Sequence, residues 1–170
     1  SSAASDVYKR QKIFLETIER KHVQPLSESI VFEYGQPNTH KKPHIGHLFS
    51  YILGESLSRI LEYIGFKVIR VNYQGDVGPH IAKCLLGILQ QYEKFKKLAE
   101  IKEDTPKTLK EKIEFLQECY VLGNKLVEES KQYEEKFRKL NKKIYQKDKE
   151  VKELYEITRS WSLKFYKWFE

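Results

Sequence analysis

Between Ile30 and Tyr34 the chain carries a short apolar, β-branched run, Ile-Val-Phe-Glu-Tyr, suited to a buried parallel strand that ends at Gly35. A turn-rich stretch from Gly35 to Pro43 follows. Beyond it Leu48, Ile52, Leu57, Ile60, Leu61 and Ile64 recur at helical spacing and predict a helix closed by Gly65. Phe66 to Tyr73 reads as a second strand, so Ser29 to Tyr73 forms a βαβ unit whose right-handed crossover makes the strands parallel neighbours. Upstream, Val7 to His22 reads as an amphipathic helix behind a short end, Ser1 to Asp6. Downstream, Ile81 to Phe95, Leu109 to Glu128, Lys131 to Gln146 and Asp148 to Glu170 read as helices, without a further convincing strand. Two parallel strands cannot bury both faces and both edges. Either a complete parent fold supplies more strands beyond Glu170, or the chain is a small α+β domain with a two-stranded sheet.

Composition narrows this picture. Of 170 residues 40% are hydrophobic and 32% charged, with only 8 Gly and 5 Pro, a globular and helix-leaning balance. No apolar run has the length of a membrane span and no signal-peptide core is visible, so a cytoplasmic protein is expected. The net charge of +7 favours encounter with polyanions, but Lys and Glu interleave, which equally describes a solvated helical face. Cys84 and Cys119 stand far apart without metal-ligand spacing and read as buried thiols, so no metal site is expected. Tyr145, Tyr155, Trp161, Trp168 and Phe169 are expected to pack helices together or to mark a docking face.

Chemistry concentrates at Pro43-His44-Ile45-Gly46-His47, between the first strand and the crossover helix. In an open parallel sheet ligands bind beyond the carboxyl ends of the strands, which is where this segment lies. A helix N-terminus offers unpaired N–H groups and the positive end of the dipole, suited to phosphate. Gly46 lets a base or ribose approach the backbone. His44 and His47, three apart in the first helical turn, can donate ring N–H bonds to phosphate oxygens. Such a site would stabilise charge on an α-phosphate as a carboxylate attacks ATP, by positioning and electrostatics alone.

The run Phe32-Glu33-Tyr34-Gly35-Gln36-Pro37-Asn38-Thr39-His40-Lys41, then His44-Ile45-Gly46-His47-Leu48, then Arg70-Val71-Asn72-Tyr73-Gln74-Gly75-Asp76-Val77-Gly78 resembles the N-terminal half of an arginyl-tRNA synthetase catalytic domain. The resemblance covers Ile30 to about Leu86. Tyr120 to Lys125 and Thr158 to Ser162 resemble the family's insertion less specifically. It implies an α/β fold: a partial Rossmann-like nucleotide-binding domain of the HUP, class I synthetase kind, with a helical insertion. On that scheme residues 1–24 form an N-terminal arm and helix, 25–95 the first half of the catalytic domain with its HIGH motif, and 96–170 the insertion region.

Position by position, the resemblance implies that Glu33, Gln36 and Asn38 contact the substrate arginine, a carboxylate facing a guanidinium being the natural pairing. Lys41, His44, Gly46 and His47 match ATP-binding positions, with His44 and His47 the catalytic pair, and Asp76 lies in a turn lining the same pocket. From the residues alone, Glu33 is equally a solvated strand-end carboxylate, Lys41 a surface lysine, and Asp76 a cap of the next helix. The sequence departs from many relatives at Gln36, where serine is frequent, at Lys41-Lys42-Pro43, and at Phe49, where arginine is common.

The implied cofactors are ATP and Mg²⁺, and the implied partners are arginine, tRNA(Arg) and the remaining half of the synthetase. The second class I signature, a KMSK-type phosphate-clamping loop, is absent, and the chain has no Met. The chain alone is therefore expected to be unable to charge tRNA efficiently. The alternatives are another HIGH-superfamily enzyme, or a non-catalytic RNA-binding or scaffolding module using the Lys-rich helices between Glu93 and Lys152.

Overall fold

The computed structural model describes residue 9 and residues 25–169, so the helix expected from Val7 to His22 lies outside the described residues save for Lys9. The described residues form two compact units, one of residues 25–34 and 50–71, the other of residues 35–49 and 72–169. The whole is mixed α/β, mostly helical with a small parallel sheet.

In the first unit Ser29–Glu33 (β1) and Lys67–Val71 (β2) pair in parallel, Ser29 opposite Lys67 and Glu33 opposite Val71. Both strands stand where the β-branched runs placed them, the second shorter than expected. The crossover helix is Ile45–Tyr63 (α1), which belongs to this unit from Ser50 onward. It ends as predicted at Gly65, whose φ of 102° is left-handed. Gly65 N–H donates to Glu62 O at 3.0 Å and Phe66 N–H to Leu61 O at 3.0 Å, the two bonds of a Schellman cap.

The apolar stripe of α1 is not its buried face. Ile52 and Ile60 are 59% and 57% exposed, whereas Gly54 and Ser58 are buried. Small residues let the helix lie close to Tyr34, and polar groups complete the contact: Tyr34 Oη donates to Glu55 at 2.8 Å, and Arg70 on β2 grips Glu55 at 2.9 Å and Glu62 at 2.6 Å. The Arg70 and Arg59 guanidiniums, with the Tyr34 hydroxyl, hold the Glu55 carboxyl down at about 2.

The second unit contains Pro79–Gln90 (α2), Tyr92–Glu100 (α3), Pro106–Glu129 (α4), Lys131–Tyr145 (α5) and Lys149–Phe169 (α6). The single helix expected over Ile81 to Phe95 is broken at Gln91, with φ −120° and ψ 36°. The break re-aims α3 so that the Phe95 ring packs 5.7 Å from Trp161. Ile81, Leu85, Ile88, Leu116 and Cys119 are fully buried in the core between α2 and α4.

Gly87 and Gly123 bring those two helices into backbone contact. A Cβ at Gly87 would lie 1.9 Å from Cys119 O, and one at Gly123 would lie 1.8 Å from Lys83 O. Cys84 and Cys119 are free and buried as expected, and burial pushes Cys119 up to about 12. Thr105 caps α4, accepting from Thr108 N–H at 3.2 Å. Of the aromatics expected to pack the helices, Trp161 is buried, whereas Tyr145 and Trp168 are 60% and 54% exposed. No helix among the described residues is long and apolar enough to cross a membrane.

Candidate functional site

The predicted residues other than Glu33 lie in the second unit, on two turns and one helix start: residues 35–43, residues 72–78, and the first turn of α1. The turns are laced together. Thr39 N–H donates to Gly75 O at 2.9 Å, and Gln36 N–H donates to Asn72 Oδ1 at 3.0 Å. Gly75 lets the Asn38 side chain come close, since a Cβ there would lie 2.2 Å from Asn38 Oδ1. The Asn38 side chain thus lies directly against the Gly-Asp turn. Gly35, Gln36 and His40 all have left-handed φ, of 88°, 52° and 63°, which folds this segment tightly on itself.

At the helix start, His44 acts as the cap. Its Nδ1 accepts from Gly46 N–H at 3.1 Å, and its carbonyl accepts from His47 N–H at 2.9 Å. The His44 ring lies over Gly46, where a Cβ would be 2.9 Å from its Cε1. His47 Nδ1 accepts in turn from His44 N–H at 3.2 Å. With both Nδ1 atoms accepting, both rings carry their proton on Nε2 when neutral. The ring centroids are 3.9 Å apart. Burial holds His47 below its ordinary value, with His44 and Lys41 adding to the effect. The site therefore offers a pair of adjacent Nε2–H donors. The expectation of free helix-start amides is modified, since His44 itself takes the Gly46 N–H.

Lys41 Nζ sits 4.2 Å from the centroid of the Tyr120 ring on α4. Its charge contributes to the lowering of both His47 and His80, which places the three groups in one electrostatic field. Asp76 does not cap the following helix: α2 has no side-chain cap, and Asp76 Oδ2 accepts instead from Arg159 Nε at 2.8 Å and Nη2 at 2.7 Å. Glu33 lies in the first unit, exposed at the end of β1.

The buried support of these turns comes from residues distant in sequence. His40 is fully buried, its Nε2 2.8 Å from Thr158 Oγ1, its Nδ1 3.0 Å from Thr39 Oγ1, and its N–H donating to Ser162 Oγ at 3.0 Å. Burial lowers it to about 3. Tyr166 Oη donates to Asn38 O at 2.5 Å and to Lys41 O at 2.9 Å. His80 Nε2 is buried with no hydrogen-bond partner among the described residues. The sequence signal was only the Thr-Arg-Ser-Trp-Ser run from Thr158 to Ser162, whose partners are more than 80 residues away. Among the described residues no group of three His, Cys, Asp or Glu side chains could hold a metal ion.

Comparison with known proteins gives consistent matches. A family described as tRNA synthetases class I (R), catalytic domain, matches residues 11–167. The arginine–tRNA ligase of Borreliella afzelii is 38% identical over 138 residues, covering 81% of this chain and 22% of that protein. That of Bdellovibrio bacteriovorus is 31% identical over 154 residues, covering 87% and 25%. The arginyl-tRNA synthetase structure from Plasmodium falciparum is 25% identical with a TM-score of 0.40, covering 80% of this chain and 24% of that one, a score too low to carry an argument. The chain spans about a quarter or less of the length of these relatives.

Proposed function

Since the chain belongs to the class I arginyl-tRNA synthetase catalytic-domain family, we propose that it forms the ATP- and arginine-binding opening of a Rossmann-like fold. The parent enzyme would join arginine to tRNA(Arg) through arginyl-adenylate. The observation that carries this is the His44–His47 pair, with its Nδ1 atoms engaged and its two Nε2–H donors side by side.

In the reaction the arginine carboxylate attacks the α-phosphorus of ATP, forming the mixed anhydride and releasing pyrophosphate. Negative charge grows on the α-phosphate oxygens, and His44 and His47 donate their Nε2–H bonds there. Donors that meet charge only in the transition state contribute on the order of 10²–10³ in rate each. No proton needs to move to or from either ring. Lys41 leaves the Tyr120 ring to meet a phosphate. Asn38 and Gln36 contact the amino acid. Mg²⁺ would enter with the nucleotide, bound to its phosphates. The remaining half of the synthetase and tRNA(Arg) are the partners, in the cytoplasm.

Calorimetric and thermal-shift titration of the chain with MgATP, arginine and a non-hydrolysable arginyl-adenylate analogue tests this. We expect the analogue to stabilise the chain and the His44→Ala/His47→Ala double variant to lose at least tenfold in affinity. A folded chain that binds none of the three ligands would overturn it.

A further inference from the structure

The geometry points to Arg159 as a positioning residue that, by gripping one oxygen of Asp76, holds the Gly75–Gly78 turn in its ligand-binding conformation and leaves the other oxygen, Oδ1, for the ligand. This rests on the proposed arginine and ATP site and adds to it a residue on a distant helix.

Arg159 lies near the middle of α6, 83 residues from Asp76. Two of its nitrogens converge on a single oxygen, Nε at 2.8 Å and Nη2 at 2.7 Å from Oδ2. Oδ1 accepts nothing from the described residues. One turn earlier on the same helix face, Tyr155 Oη donates to Asp76 O at 2.8 Å, so backbone and side chain of Asp76 are both held. The Tyr155 ring also stacks on His40, centroids 6.0 Å apart and planes within 13°. The same helix therefore fixes the turn on one side and residues 38–41 on the other, through His40, Thr158, Ser162 and Tyr166.

This grip is distinguishable from general stabilisation. The ion pair is partly exposed, its side chains 38% and 32% accessible, so it contributes little to global stability. Its effect is concentrated on a short turn with no secondary structure of its own. A guanidinium that offers two convergent donors also fixes direction in a way that an ammonium does not.

Two measurements on the full chain test the inference. In hydrogen exchange, Arg159→Gln should accelerate the amides of residues 74–78 at least tenfold, while α2 and α4 core amides change less than threefold. Arg159→Lys should restore part of the protection. Unchanged exchange at 74–78 would overturn the grip, whether or not any ligand binds. In calorimetry with the arginyl-adenylate analogue, Arg159→Gln and Asp76→Asn should each weaken binding about tenfold, and the double variant no more than either alone. Additive losses would overturn the positioning role even if wild-type binding is sound. Failure of the wild type to bind would count against the proposed function instead, with exchange still deciding the grip.

Discussion

At the scale of single residues the informative groups are those whose ionisation the fold restrains. His40 is the clearest: burial, with the positive fields of His80 and Arg159, lowers it to about 3. In the unfolded chain its value is about 6.5. Between these values the unfolded state binds more protons than the folded one, so stability rises with pH across the window. The contribution is complete above the unfolded value and drains away as pH falls toward 3. Urea unfolding should therefore show a loss from His40 on the order of 2 kcal/mol between pH 6.5 and pH 5. His80 and His47 are lowered too and act with the same sign. His40→Gln should flatten, without abolishing, the dependence on pH. An unchanged slope in that variant would contradict the burial of His40.

Single residues also show what inspection of the sequence can and cannot find. His44, Gly46 and His47 stand out in the sequence because two histidines and a glycine fall within four positions, and the structure places them at a helix start. The tautomer was not legible, since it depends on which ring nitrogen the backbone amides reach. Asp76 was legible as a polar turn residue, but its partner Arg159 was not, because nothing in local spacing joins residues 83 apart.

Among the elements, β1, β2 and the Gly65 cap follow from local composition, and local composition was enough to find them. The break at Gln91 was hidden because neither Gly nor Pro punctuates it; it follows from the packing of Phe95 on Trp161. The buried face of α1 was hidden for a different reason. Apolar spacing reports a helix faithfully, yet in this unit the small residues Gly54 and Ser58 make the buried contact. The closest helix pair, α2 with α4, depends on the absence of two side chains. Gly87→Ala would drive a methyl against the Cys119 carbonyl, which is backbone and cannot rotate away. We expect a loss of about 3 kcal/mol or more, since overpacking at a backbone contact forces the helices apart. Ser56→Ala on the exposed side of α1 serves as a control that should change little. A Gly87→Ala melting temperature within two degrees of wild type would show that the helices are not in backbone contact.

For the whole molecule, much of the charge that looked interleaved along the sequence is locally paired. Glu134 pairs with Arg138, Glu150 with Lys143, Glu118 with Lys94, and Asp104 with both Lys112 and Lys164. In the second unit α6 supports both turns of the candidate site. The proposed role of the histidine pair is that His44 and His47 meet the α-phosphate through Nε2–H. Long-range ¹H–¹⁵N NMR of the imidazole rings, with and without the arginyl-adenylate analogue, tests it most directly. The predicted result is the Nε2–H tautomer for both rings in the free chain, with the analogue shifting their Nε2 resonances and leaving Nδ1 nearly unchanged. Protonation on Nδ1, or bound analogue with both Nε2 resonances unmoved, would contradict it.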